Sequence, residues 1–186
     1  ERSFERDIIP MARSEGMALA PWNVLAGGKI RTDEEEERRR ETGEHGRKVL
    51  GPEWERTEDE RKVCKALEKV ASEIGAKHIT AVAIAYVMQK TTYVFPIIGG
   101  RKVEHLEANL EALSISLTQE QIKYLESVVA FDPGFPMTML VPNTASPSQN
   151  LKLQLYQGDG TGPNQLLALA AQVAPLPLAQ PLRPTQ

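Results

Sequence analysis

The sequence predicts an α/β protein with parallel strands, and three observations point there. Two short, nearly continuous apolar runs, residues 17–22 and 92–98, are each closed by a glycine pair, Gly27-Gly28 and Gly99-Gly100. Runs apolar on both faces suit strands that helices cover. Helical patterns with capping boxes lie between and after these runs, so strands and helices alternate. The 186 residues, 41% hydrophobic and 25% charged, fall in the soluble globular range.

The elements follow in chain order. Residues 3–15 carry Phe4, Ile8, Met11 and Ala12 at helical spacing, with Ser3 as N-cap, Gly16 as stop and a bend or restart at Pro10. The first strand, residues 17–22, is expected to be buried on both faces. Residues 29–56 turn polar, and Glu34, Glu35 and Glu36 each precede an arginine by four positions (Arg38, Arg39, Arg40). This spacing supports a solvated helical turn within a surface insertion. Thr57-Glu58-Asp59-Glu60 is a capping box, behind which Val63, Leu67, Val70, Ala71 and Ile74 trace one face until Gly75. Cys64 lies beside that face as a small core residue. Thr80 opens a helix to about Lys90 that is apolar nearly all round and therefore buried, with Tyr86 in packing. The second strand, residues 92–98, is β-branched and aromatic, and Pro96 within it signals a bulge or strand end. A helix over 102–112 sets Val103, Leu106, Leu110 and Leu113 on one side. A second capping box, Thr118-Gln119-Glu120-Gln121, is stapled by Leu117 against Ile122 and starts a helix to about Ala130. From Pro142 on, seven prolines and seven glutamines against three charged residues mark 141–186 as a flexible, disordered tail, with residues 166–173 as a short helix at most.

Composition excludes several function classes. A net charge of −3, and a basic run Arg38-Arg39-Arg40 answered by Glu34–Glu37 and Glu41, leave no footprint for nucleic acid. The lone Cys64 points to a reducing compartment, the cytoplasm, and scattered histidines offer no metal spacing. No apolar window is long enough for a membrane span. Two strands alone leave open edges, so the missing strands come from elsewhere: an N-terminal part not in this sequence, or another chain. A complete eight-stranded α/β barrel takes about 250 residues. These edges also predict self-association.

Chemistry in parallel α/β folds sits beyond the carboxyl ends of the strands. Two segments qualify, residues 22–28 and Gly99-Gly100-Arg101-Lys102. Glycines let backbone approach an anion, a helix start supplies unpaired N–H groups, and the two cations add charge for a phosphate. Taken alone, Gly-Gly-Arg-Lys equally suits a surface turn with solvated basic residues, and His105 an exposed helix position.

The stretch Pro96-Ile97-Ile98-Gly99-Gly100-Arg101-Lys102-Val103-Glu104-His105-Leu106-Glu107-Ala108-Asn109-Leu110, preceded by Asp7-Ile8-Ile9-Pro10-Met11-Ala12-Arg13 and residues 17–28, resembles the C-terminal part of an aldo-keto reductase. Phe131-Asp132-Pro133-Gly134-Phe135-Pro136 resembles the fungal aryl-alcohol dehydrogenase and norsolorinic acid reductase branch. The resemblance runs to about residue 140 and leaves out the tail. It implies the C-terminal part of an (α/β)8 TIM barrel: helix 6, strand 7, helix 7, strand 8, helix 8 and a final helix, with the N-terminal strands missing. It further implies NADP(H) as cofactor and an oxidoreductase that reduces aromatic aldehydes or ketones in fungal secondary metabolism. Trp22, Asn23, Val24 and Leu25 would line nicotinamide and pyrophosphate; Gly99, Arg101, His105 and Asn109 would hold the 2′-phosphate and adenine. Asn23 stands where many relatives have Ser, and Ala108 replaces a Glu that usually precedes Asn109. The family's catalytic Tyr, Lys, Asp and His lie on earlier strands, so no catalytic residue is assigned. Tyr86, Tyr93, Tyr124 and Tyr156 lack the required context. The alternative is a truncated, catalytically silent reductase-like protein that binds nucleotide or pairs with an intact relative.

Overall fold

The computed structural model describes residues 2–44, 54–132 and 134–135. The tail expected over 141–186, its short helix and Pro136 lie outside the described residues. The described residues fall into two units, one of residues 2–15 with 130–132 and 134–135, the other of residues 16–44 and 54–129.

In the first unit, α1 (Ser3–Arg6) and α2 (Ile8–Ser14) are separated at Asp7, whose φ of −115° and ψ of −53° end one helix and begin the next. The break therefore falls at Asp7 and not at Pro10. Proline occupies the third position of α2, where an amide would have no intrahelical acceptor, so its missing N–H costs nothing. Ser3 is not the N-cap either; Arg2 holds that place without a side-chain cap. Arg2 instead binds Glu5 through two hydrogen bonds of 2.7 and 2.9 Å and stacks 5.3 Å from the Phe131 ring centre.

The second unit is built on a helical core behind two segments, within 17–22 and 92–98, that pair through two isolated parallel bridges; the two expected strands do not form as regular strands among the described residues. Leu19 pairs in parallel with Val94, and Trp22 with Ile97. Three hydrogen bonds define the register: Leu19 N to Tyr93 O (2.8 Å), Phe95 N to Leu19 O (2.8 Å) and Ile97 N to Pro21 O (2.9 Å). Pro96 sits between the two donors Phe95 and Ile97. With a strand period of two, its absent N–H falls on the opposite edge, which is how the ladder accommodates it. Val94 is buried whereas Tyr93, Phe95 and Ile97 are 65%, 61% and 54% exposed. Residues 17–22 are likewise open, with Trp22 62% exposed. The expectation of burial on both faces is thus corrected to burial on one, because the described residues cover the ladder with helices on one side only.

The polar insertion contains a full helix, α3 (Asp33–Thr42), whose N-cap Thr32 accepts from the Glu35 amide and which stops at Gly43 in the left-handed region. Glu35 pairs with Arg39 as the spacing predicts. Glu36 does not take Arg40, and its burial contradicts a purely solvated insertion. The capping boxes at Thr57 and Thr118 both form, opening α4 (Glu58–Ile74) and α7 (Gln119–Ser127). Between them lie α5 (Ile79–Gln89), α6 (Val103–Leu110) and a 3₁₀ turn, Glu111–Ser114. Residues 81–85 of α5 are all buried, packed with Leu67, Val70 and Ala71 of α4 and with Leu117 and Ile122, the expected staple. Gln89 stitches this core to the chain before α7: its Nε2 donates to Ile115 O (2.7 Å) and its Oε1 accepts from Leu117 N (2.9 Å).

One face differs from expectation. Val103, Leu106, Leu110 and Leu113 are 69%, 52%, 49% and 60% exposed, and α6 buries Asn109 instead. The core contacts of this segment come from Ala112 and Ile115 in the tight turn that follows, which leaves the leucine stripe outward among the described residues. The difference is measurable: Leu117→Ala is expected to lower the unfolding free energy of the chain by about 2–5 kcal/mol, and Leu113→Ala by no more than about 0.5 kcal/mol. Paired urea melts that gave equal losses would refute this division of inside from outside.

Candidate functional site at the strand ends

Because the pairing is parallel and sets Trp22 against Ile97, both segments leave it in the same direction. The loop from Trp22 and the one from Gly99 therefore start side by side. That register brings two of the sequence-predicted segments to one end of the fold.

The first loop is a tight left-handed turn. Asn23 (φ 62°) and Ala26 (φ 50°) adopt positive φ, as do Gly27 and Gly28. Asparagine tolerates this region because its short side chain bonds the local backbone. Here Asn23 Oδ1 accepts from Gly27 N at 2.6 Å and its carbonyl accepts from Ala26 N at 2.9 Å. Gly28 N and Lys29 N close the 3₁₀ turn Ala26–Gly28. Val24 and Leu25 are used differently. Their side chains pack against the α4–α5 core, while their amides donate to no other described residue. Two neighbouring N–H groups on an anchored backbone can donate to an anion.

The second loop runs from Gly99 to α6. A Cβ on Gly100 would lie 2.9 Å from His105 Cβ, so this glycine admits the His105 side chain against the loop, whereas nothing lies within 4 Å of a Cβ on Gly99. Lys102 caps α6 with no side-chain hydrogen bond, which leaves the helix start free of a protein cap. Arg101 Nη2 donates to Glu44 Oε1 at 3.1 Å, both residues on the surface. Asn109 is 6% exposed, and its side-chain amide makes no hydrogen bond among the described residues. His105 is exposed.

Sequence reasoning missed the ion cluster directly behind the first loop. Glu36 binds Arg31, Arg56 and Arg61, partners 5, 20 and 25 positions away, and no local spacing signals them. Burial pushes the Glu36 carboxyl up, but hydrogen bonds and charge from Arg56 and Arg31 outweigh it and hold it at about 2. Cys64 is buried as expected, and its thiol donates to Lys29 O at 3.3 Å. Among the described residues no cluster of His, Cys, Asp and Glu could hold a metal, and no helix is long and apolar enough to cross a membrane.

The aldo/keto reductase family model matches residues 1–130, and the chain belongs to that family. The family gives the fold class, an α/β barrel. The chain is 55% identical over 184 residues to the aryl-alcohol dehydrogenase [NADP(+)] of Phanerodontia chrysosporium, covering 98% of this chain and 43% of that one. It is 50% identical to the aldo-keto reductase ausK of Emericella nidulans, covering 74% and 34%. A Saccharomyces cerevisiae protein whose name places it with the aryl-alcohol dehydrogenases is 54% identical over 130 residues, covering 70% of this chain and 85% of that one. These relatives are fungal and fall in the branch that the motifs resemble. The chain spans less than half the length of the first two.

Two consequences can be measured. Gly100→Ala is expected to destabilise the chain by about 1–3 kcal/mol through the clash with His105, and Gly99→Ala by less than about 0.5 kcal/mol; equal thermal shifts would contradict the close approach. The depressed Glu36 carboxyl contributes stability that is complete above its ordinary value of 4.5 and lost as the pH falls towards 2. The loss amounts to something on the order of 3 kcal/mol. Acid titration of stability should be visibly shallower in Glu36→Gln over that window, and superimposable curves would show that Glu36 is not the group responsible.

Proposed function

We propose that the two strand ends form the dinucleotide site of an NADP-dependent aryl-alcohol dehydrogenase-like reductase acting on aromatic aldehydes or ketones. The single observation that carries this reading is the parallel register, which sets the Val24 and Leu25 amides and the Arg101–Asn109 segment at one end of the ladder. The name of the Phanerodontia relative, which includes NADP(+), supports the choice of cofactor. In this reading the two paired segments are strands 7 and 8 of the barrel.

The residues divide the work. Trp22 offers an exposed aromatic surface beside the ladder for the nicotinamide ring. Val24 and Leu25 present N–H groups to the pyrophosphate, on a turn whose shape Asn23 fixes. Arg101, with Lys102 and His105, answers the 2′-phosphate, and the amide of Asn109, unbonded among the described residues, is available to adenine. When bound, the cofactor supplies a hydride to the carbonyl carbon. The carbonyl oxygen then needs a proton, and no tyrosine among the described residues is arranged to give it. Tyr86 packs against the core, Tyr93 is turned outward at φ 57°, and Tyr124 lies under Lys69 at 4.4 Å. Tyr156 lies outside the described residues. We therefore assign these 186 residues to cofactor binding and expect no turnover from them alone.

Arg101 tests the cofactor choice. Its pair with Glu44 is a surface ion pair worth about 0–1 kcal/mol, which a phosphate can displace, since a charge-assisted hydrogen bond contributes roughly 1.5–3 kcal/mol. Arg101→Ala is expected to weaken NADPH binding by about one to two powers of ten and to change NADH binding little. Equal losses for the two cofactors, or no loss for either, would exclude the phosphate contact.

A further inference from the structure

The three charged residues that are buried among the described ones, Arg31, Glu36 and Arg56, belong to one cluster, and it lies against the end of the first loop. Glu36 Oε2 accepts from Arg31 Nε (3.0 Å), Arg31 Nη2 (2.8 Å) and Arg56 Nε (2.9 Å), while Oε1 accepts from Arg61 Nη2 (2.8 Å). With their heads fixed on this carboxylate, both arginines turn further donors to the main chain. Arg31 donates to Gly28 O (3.4 Å) and Trp54 O (2.5 Å), and Arg56 to Arg31 O (2.5 Å). Cys64 takes the carbonyl between them, that of Lys29. The carbonyls of residues 28, 29 and 31 are thereby all held by side chains. Burying three charges is a costly way to gain stability alone, since apolar side chains of the same volume often do as well. What the charges add is a fixed direction for each donor.

We infer that Glu36 is a positioning residue for the cofactor loop: through Arg31 and Arg56 it fixes the backbone at 28–31, and with it the turn that carries the Val24 and Leu25 amides. This role rests on the reading of that turn as part of the dinucleotide site. Glu36 itself touches no cofactor.

The test compares Glu36→Gln, which keeps shape and loses charge, with Val82→Ala, a core change on α5 away from the cluster, in the full chain. Calorimetric titration with NADPH is combined with hydrogen exchange at the Gly28 and Lys29 amides, which are bonded within the turn. Glu36→Gln is expected to raise the NADPH Kd at least tenfold and to speed exchange at those two amides about tenfold, with α5 amides unchanged. Val82→Ala is expected to lower the melting temperature while leaving Kd and turn exchange within about twofold. If Glu36→Gln does not fold, Arg31→Lys, which keeps the charge and loses the fork, carries the same expectation. Wild-type protein that binds no NADPH would overturn the cofactor reading and this role together. Binding that is intact, with affinity and turn exchange unchanged in Glu36→Gln or equally disturbed in Val82→Ala, would overturn the positioning role alone.

Discussion

The parallel pairing of residues 19–22 with 94–97 is the constraint on which the rest depends. Two strands joined by three hydrogen bonds of 2.8–2.9 Å are not a stable sheet by themselves. Their register is kept by what stands behind them: Val94 is buried, Ile98 packs on the α4–α5 core, and so do Val24 and Leu25 just past the first strand. A one-residue slip would turn Tyr93 and Phe95 inward and Val94 out, which the helical core cannot accept. Holding the register thus also fixes which loop residues meet at the strand ends.

The same arrangement explains the uneven surface. Tyr93, Phe95, Ile97 and Trp22 make the ladder's outward side apolar, and α6 presents a leucine stripe. Large apolar residues gathered in this way mark surfaces that meet other protein. Under the proposed function these are the faces that meet the remaining strands and helices of a barrel, in keeping with the Phanerodontia relative, of which the matched region is 43%. Self-association of the chain as given would draw on the same faces.

Much of this was legible in the sequence, and the misses share a cause. The capping boxes at Thr57 and Thr118, the staple of Leu117 on Ile122 and the wholly buried α5 are local patterns, each written in a few adjacent residues. The parallel pairing of the two apolar runs followed from their alternation with helices, but among the described residues they join through two isolated bridges and form no regular strand. Patterns that depend on distant partners were hidden. Glu36 read as one more surface glutamate because Arg31, Arg56 and Arg61 reach it only in the folded chain. The stripe on α6 has a core-like period, yet period alone cannot say whether a neighbour is present to cover it. At the site, Trp22 to Leu25, Gly99 and Arg101 follow the two paired segments while His105 and Asn109 lie on α6, but the Asn23 turn, the seat of His105 on Gly100 and the engagement of Arg101 by Glu44 were not readable from spacing.

The most direct measurement for the account as a whole is amide chemical-shift mapping of the chain during titration with NADPH. The strand-end reading predicts saturable shifts at Val24, Leu25, Arg101, His105 and Asn109, with none along the basic side of α4 at Lys62, Lys65 and Lys69. Shifts confined to that side of α4, or none at either place, would contradict it.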